Sequence, residues 1–369
     1  MKKLVIAALA IGAMAACTKS NVQYEQPGEI SLQPVAQKAT KAAVDGTFYP
    51  TNQAYNFNVW AVWIDQSAGS VVNLNELQHV EYINQGTFAA RDNFNWGGWN
   101  GSEHFPYYWP SDGSLIFAGY SPASVKPETQ EAGAPSFNYN FETKTFTADN
   151  YIQSNDISEA VDLMWFDFDG MSYSQNPSTT DPKGVPVQFQ HALSWLTFKF
   201  NLNSVNTSDL WTITNVKLTG VENKGNFISN AEPAWTDVVE SDEDMDIIEL
   251  YDDNDGHHVT YYADGTVLPG TDVVTEGTNI LDNAVLVIPQ SCAPAAAELV
   301  ITYNMETYVG GNVLPQEVRL PLNGEQINGD KWLPGKHYIY TITFGNNEIL
   351  ISPSVTDWTD IEVDNIPVL

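Results

Sequence analysis

Apolar residues recur at every second position along most of this chain, and the spacing of an amphipathic helix is nearly absent. In HYIYTITF (337–344), Tyr338, Tyr340, Ile342 and Phe344 fall on one face, and Ile339, Thr341 and Thr343 on the other. YNFNVWAVWI (55–64), SLIFAGY (114–120), WTITNVKLTGV (211–221), AVLVIPQ (284–290) and ELVITYN (298–304) are further strand-length runs rich in β-branched and aromatic residues. Clusters of Gly, Pro, Asn, Asp and Ser separate them. Many short strands joined by long turns predict an all-β chain of antiparallel sandwiches. NELQHVEY (75–82) is the one segment assigned to a short helix.

One strand breaks its own pattern. In VQFQHALSWLTFKFNL (187–202) the apolar face starts on odd positions, Val187, Phe189, Leu193 and Trp195. It then moves to even positions, Leu196, Phe198, Phe200 and Leu202. A change of parity requires a bulge or a change of packing partner. A strand passing from one core to another would produce it. The turn-rich GMSYSQNPSTTDPKG (170–184) lies just ahead, so a domain boundary is expected near residue 185. The expected domains are 42–185 and 186–369, and a length of 369 residues suits two of ordinary size.

The first residues, MKKLVIAALAIGAMAAC, change the picture of where the protein works. Lys2 and Lys3 precede an apolar run, and small residues lead to Cys17. This is an export signal over residues 1–16, too short to span a bilayer. The cysteine after Ala15-Ala16 reads as a bacterial lipobox, with Met14 in place of the usual Leu, and Cys17 is the expected lipidation site that anchors the precursor in the outer membrane. The other cysteine, Cys292, then has no disulfide partner and is expected to be a buried thiol. Charge narrows the partners further. Lys and Arg number 15 against 46 Asp and Glu, a formal net charge of −31. That excludes nucleic acid, which needs clustered cations. Five basic residues fall by Lys41, and the next is Arg91. Lys38 and Lys41 therefore stand as two trypsin-type sites just ahead of the folded body.

The ordered set of segments resembles a known family. The lipobox at Cys17 is followed by EISLQPVAQKATKA (29–42), YYWPSDGSLIFAGYSP (107–122), VDLMWF (161–166), VQFQHALSWLTFKF (187–200), VLVIPQ (285–290), WLPGKHYIYTITF (332–344) and VTDW (355–358). In that order and spacing they resemble the fimbrillin family, the lipoprotein pilins of Bacteroidales type V pili and their relatives. The resemblance implies two transthyretin-like antiparallel β-sandwich domains in tandem, and a lipid-anchored propeptide with the first strand at 17–41. It also implies a trypsin-like surface protease that releases that strand, and other pilin subunits that fill the vacated groove by strand exchange at the cell surface. Here Glu29 to Gln37 would be the temporary strand and Lys38 or Lys41 the cut site; the family cut usually follows Arg. A flexible tether whose lysines merely solvate it is the alternative. The donor strand is expected within 346–369, with apolar positions Ile349 and Ile351, Ile361 and Val363, and Ile366 and Val368. Closure of its own C-terminal sheet is the alternative for that segment. Stalk, tip, anchor and monomeric surface adhesin all remain open.

Candidate chemistry is sparse, and the chain is not expected to be an enzyme or to hold a cofactor. The six histidines fit no metal-ligand spacing, and no nucleophile elbow, phosphate loop or dinucleotide fingerprint occurs. His191 sits on an apolar strand face and reads as a hydrogen-bonded core residue. SDEDMDIIELYDDNDGHH (241–258) fails as an EF-hand, because Tyr251 and Tyr262 fall where carboxylates are needed, and reads as a solvated loop. In NFNWGGWNGSEHFPYYWP (93–110), the Gly-Gly and Asn-Gly steps put Trp96 and Trp99 on a loop. They are candidate adhesive aromatics for a sugar or a protein; packing over the end of the N-terminal sandwich is the alternative.

Overall fold

The computed structural model describes residues 29–35, 56–64, 71–84, 96–100, 102–103, 105–110, 113–125, 134–172, 185–203, 210–240, 247–252, 259–262, 285–292, 297–306, 313–323, 330–345 and 349–358. These residues form strands, and the only helical turn among them is a single 3-10 turn at Ala123–Val125.

Eight strands make the first sheet: β1 (Leu32–Val35), β2 (Phe57–Ile64), β3 (Val71–Asn84), β4 (Trp96–Trp99), β5 (Ser114–Ser121), β8 (Met164–Ser172), β9 (Val185–Gln188) and β10 (Gln190–His191). Their order is β10-β8-β5-β2-β3-β4-β1-β9. Since β9 and β10 are successive parts of one run, the two ends of that order meet and the sheet curls on itself. β6 (Ser136–Asn140), β7 (Thr145–Ile152), β13 (Lys224–Ile228) and β14 (Trp235–Val239) form a second sheet in the order β14-β13-β7-β6. The third holds β11 (Ser194–Asn203), β17 (Val285–Val287), β20 (Lys336–Gly345) and β21 (Ile349–Asp357) in the order β17-β11-β20-β21. The fourth holds β12 (Leu210–Thr219), β15 (Ile247–Asp252), β16 (Val259–Tyr262), β18 (Glu298–Glu306) and β19 (Val313–Pro321), with β12 central. Pairing is antiparallel except for β1 with β9 and β11 with β20.

Three cores follow from these layers. Phe57, Val59, Leu115, Phe117, Met164 and Phe166 fill the inside of the first sheet. The alternate residues of the same strands, Trp60, Tyr120 and Trp165, meet Phe146, Tyr151 and Phe227 of the second sheet in another core. The central strands of the first sheet are thus covered on both faces, and so their sequences read as continuous apolar runs. The third core lies between the third and fourth sheets, where Phe198 and Tyr340 oppose Val216 and Ile301.

The parity break after residue 187 has a direct cause. Val187 and Phe189 enter the first core, Ala192 and Leu193 the second, and Leu196, Phe198 and Phe200 the third. Between His191 and Ser194 the chain changes partner from β8 to β17 and β20. The second sheet takes strands from both sides of this crossing.

Two local expectations are corrected. NELQHVEY is part of β3, not a helix. His79 adopts a positive φ of 60° and the register with β2 shifts there, which hides the alternation. IIELYD, read as part of a solvated acidic loop, is β15 on the edge of β12. Ile248 and Leu250 point into the third core, and Glu249 between them faces out.

Candidate functional site

The first strand and its groove are the site to build. Ile30 and Leu32 are 1% and 0% exposed, although they precede most of the chain in sequence. β1 runs parallel to β9 over four residue pairs, Leu32↔Val185 through Val35↔Gln188. On its other side it touches β4 at a single pair, Leu32↔Trp96. Three further hydrogen bonds hold its start. The Ile30 N–H donates to the Tyr107 carbonyl at 2.6 Å, Val185 N–H to the Ser31 carbonyl at 2.9 Å, and the Tyr82 hydroxyl to the Ile30 carbonyl at 3.4 Å.

An aromatic cluster floors the groove. Phe57 stands 5.1 Å from Trp96, 5.4 Å from Phe189 and 5.9 Å from Tyr82, measured between ring centroids. Such rings contribute large apolar area, so the slot is costly to leave open to water. Burial pushes the Tyr82 hydroxyl well above the usual phenol range, and the nearby Glu29 and Tyr107 push it the same way. It stays a neutral donor to the strand backbone.

The aromatics expected on a loop are on a strand instead. Trp96 is 2% exposed and belongs to the first core; Trp99 is half-buried. The glycines between them do not open a loop. They allow close approach, since a Cβ on Gly98 would lie 2.5 Å from the Tyr107 ring and 2.7 Å from the Phe105 carbonyl. The exposed aromatics of this region are Phe105 and Tyr108, at 45% and 52%. Their neighbours Tyr107 and Trp109 are more buried, an ordering that strand periodicity alone does not reveal.

The C-terminal segment divides. Ile349 and Ile351 lie on β21, which pairs with β20 over its whole length, from Phe344↔Ile349 to Lys336↔Asp357. Both pack against the third core of their own chain. This corrects their assignment to a donated strand: they close their own sheet. Beyond β21, Trp358 is 1% exposed, its N–H donates to the Gly335 carbonyl, and its indole stacks on His191 at 3.9 Å. His191 Nδ1 in turn lies 2.9 Å from Asp162 Oδ2, with both side chains buried. Sequence reasoning placed His191 in the core but found neither Asp162 nor Trp358. Cys17, Lys38, Lys41, Ile361, Val363, Ile366 and Val368 lie outside the described residues.

Cys292 is buried, and burial pushes its thiol up to about 12. Among the described residues no group of three or more His, Cys, Asp or Glu side chains converges to hold a metal.

Layered, mostly antiparallel sheets with a buried first strand define an all-β protein. Residues 40–358 match the model of the fimbrillin-like family, and the chain belongs to that family. In structure it is similar to a fimbrial protein from Bacteroides vulgatus, at 16% identity and a TM-score of 0.54, covering 89% of this chain and 99% of that one. It is also similar to a candidate cell adhesion protein from Bacteroides ovatus, at 12% identity and a TM-score of 0.50, covering 91% and 99%. At these identities the likeness is one of fold. No curated protein matches the chain.

Proposed function

We propose that this chain is a structural subunit of a cell-surface pilus, exported as a lipoprotein acylated at Cys17 and assembled by β-strand exchange. The observation that carries the reading is the seat of β1. It is buried against an aromatic floor, yet its ladder to β4 is one residue pair long. Cleavage after Lys38 or Lys41 would cut only a few residues past Val35 and would free a strand held mainly by β9. Its loss would leave unpaired N–H and C=O groups beside an apolar slot, the arrangement that accepts a strand from another chain. The family match begins at residue 40 and ends at 358. It leaves out β1 at one end and, at the other, the segment 359–369 that carries Ile361, Val363, Ile366 and Val368.

On this reading the donor is 359–369, the part of 346–369 that follows β21. Ile361 and Val363 repeat the two-residue spacing of Ile30 and Leu32, so one face of that segment can refill the two pockets β1 vacates. The partners are further pilin subunits, a trypsin-like surface protease and, before maturation, the outer membrane. On this reading the chain has two transthyretin-like domains with a boundary near residue 185, and β13 and β14 reach back across that boundary to pair in the second sheet.

The intact mass of the protein from its native cell surface tests this. A species starting at Ala39 or Ala42 is expected. A species starting at acylated Cys17 and nothing shorter would make the chain an uncut anchor or a monomeric surface lipoprotein.

A further inference from the structure

Where the chain crosses from the first sheet to the third, a cleft of about 530 Å³ opens between β8, β10, β13 and the 334–335 turn. The geometry points to a binding site for a neutral carbohydrate in this cleft. Its lining is an unusual set. Gln188 and Gln190 alternate with the buried Val187, Phe189 and His191, so both carboxamides face the cleft and both are exposed. Asn230 adds a third carboxamide, held by a backbone φ of 60° that Asn tolerates better than most residues. Asp167 adds a carboxylate, which accepts the Tyr139 hydroxyl at 3.4 Å. Trp165 and Phe227, 4% and 2% exposed, close its base and leave the polar side chains as the accessible lining.

Carboxamides offer a donor and an acceptor in one plane, which matches the vicinal hydroxyls of a sugar. The volume falls within the range of small-molecule sites. Among the described residues no Lys or Arg lines the cleft, so it does not suit a phosphate, sulfate or sialic acid. His191 reaches its wall but is engaged by Asp162 and Trp358. Asp162 itself does not line the cleft, which leaves Asp167 as its one carboxylate among the described residues. Glycoside hydrolysis uses two carboxylates across the scissile bond, so the site binds without cleaving. No residue of β1 lines it, and the inference does not depend on strand exchange.

The test is binding of the full chain to an array of neutral, sialylated and sulfated oligosaccharides, followed by calorimetry with the strongest neutral ligand. Binding of neutral oligosaccharides is expected. The double variant Gln188→Ala, Gln190→Ala should weaken it at least about tenfold, because each lost hydrogen bond to a hydroxyl accounts for a few-fold. Its melting temperature should not change, since both side chains are exposed. Four results would overturn the proposal: no array ligand, binding confined to anionic glycans, release of reducing sugar, or binding lost in Phe105→Ala, Tyr108→Ala but kept in the glutamine variant.

Discussion

Cys292 illustrates how far burial sets chemistry at a single residue. Its thiol is fully buried and pushed up to about 12 chiefly by desolvation, and the thiolate is the reactive form. Alkylation by iodoacetamide at pH 8 should be negligible in the folded protein and complete after denaturation, read by intact mass. Gly119 shows the opposite constraint, that of space. A Cβ there would sit 2.4 Å from both the Asn58 carbonyl and the Phe166 ring. Gly119→Ala should destabilise the protein by about 2 kcal/mol or more in urea unfolding, because backbone and a packed ring cannot both yield. Little of this was legible in the sequence. His191 stood out as a polar residue on an apolar face, which correctly implied a partner. Its partners Asp162 and Trp358 lie 29 and 167 positions away, and no local pattern connects them. Trp96 and Trp99 misled for a related reason. Gly-Gly signals a loop when only neighbours are considered, but here it makes room for Tyr107.

At the scale of the element, β21 and the residues after it behave as two units. β21 completes the third sheet and brings Ile349, Ile351 and Val355 onto the third core. Truncation after Trp358 should leave circular dichroism and melting temperature unchanged and stop fibre extension, read by electron microscopy. Truncation after residue 348 should instead lower stability by about 3 kcal/mol or more, since it removes a nine-residue strand and uncovers apolar surface. If both truncations abolish folding, 359–369 is part of the folded body and not a donor. The strands named from period two include β2, β5, β12, β17, β18 and β20, whereas β6, β7, β13, β14, β16 and β19 were not singled out and β4 was read as a loop. β3 and β15 were misread. A bulge at His79 broke the alternation of the first, and the acidic residues of the second drew attention from Ile248 and Leu250.

For the whole molecule, charge and topology set the terms of assembly. The full chain carries a formal −31, and the product of a cut after Lys41 would keep 10 Lys and Arg against 44 Asp and Glu, so like-charged subunits repel on approach, and salt screens that repulsion beyond a Debye length of about 8 Å at physiological ionic strength. Fibre growth from matured subunits should therefore accelerate between 20 and 300 mM NaCl, in roughly the range where screening changes most, as followed by light scattering. A rate that falls with salt would mean ion pairs, not apolar strand insertion, drive the contact. The fold also ties distant segments together. The run 185–191 closes the first sheet, and 194–203 opens the third. The consecutive strands β9, β10 and β11 thus join the sheet that holds β1 to the sheet that holds β21.

The sequence by itself determined the all-β class, the strand-length runs named above, a change of core along 187–202 and the resemblance to the fimbrillin family. All of these rest on side-chain alternation and on ordered local motifs, which are carried by neighbouring residues. Only the tertiary structure decided that β1 lies parallel to β9, that Ile349 and Ile351 serve their own sheet, that Trp96 is core and that three carboxamides share one cleft. Strand partners and register are set by which apolar faces can be buried together across long loops, and alternation within a strand is the same whichever partner it takes.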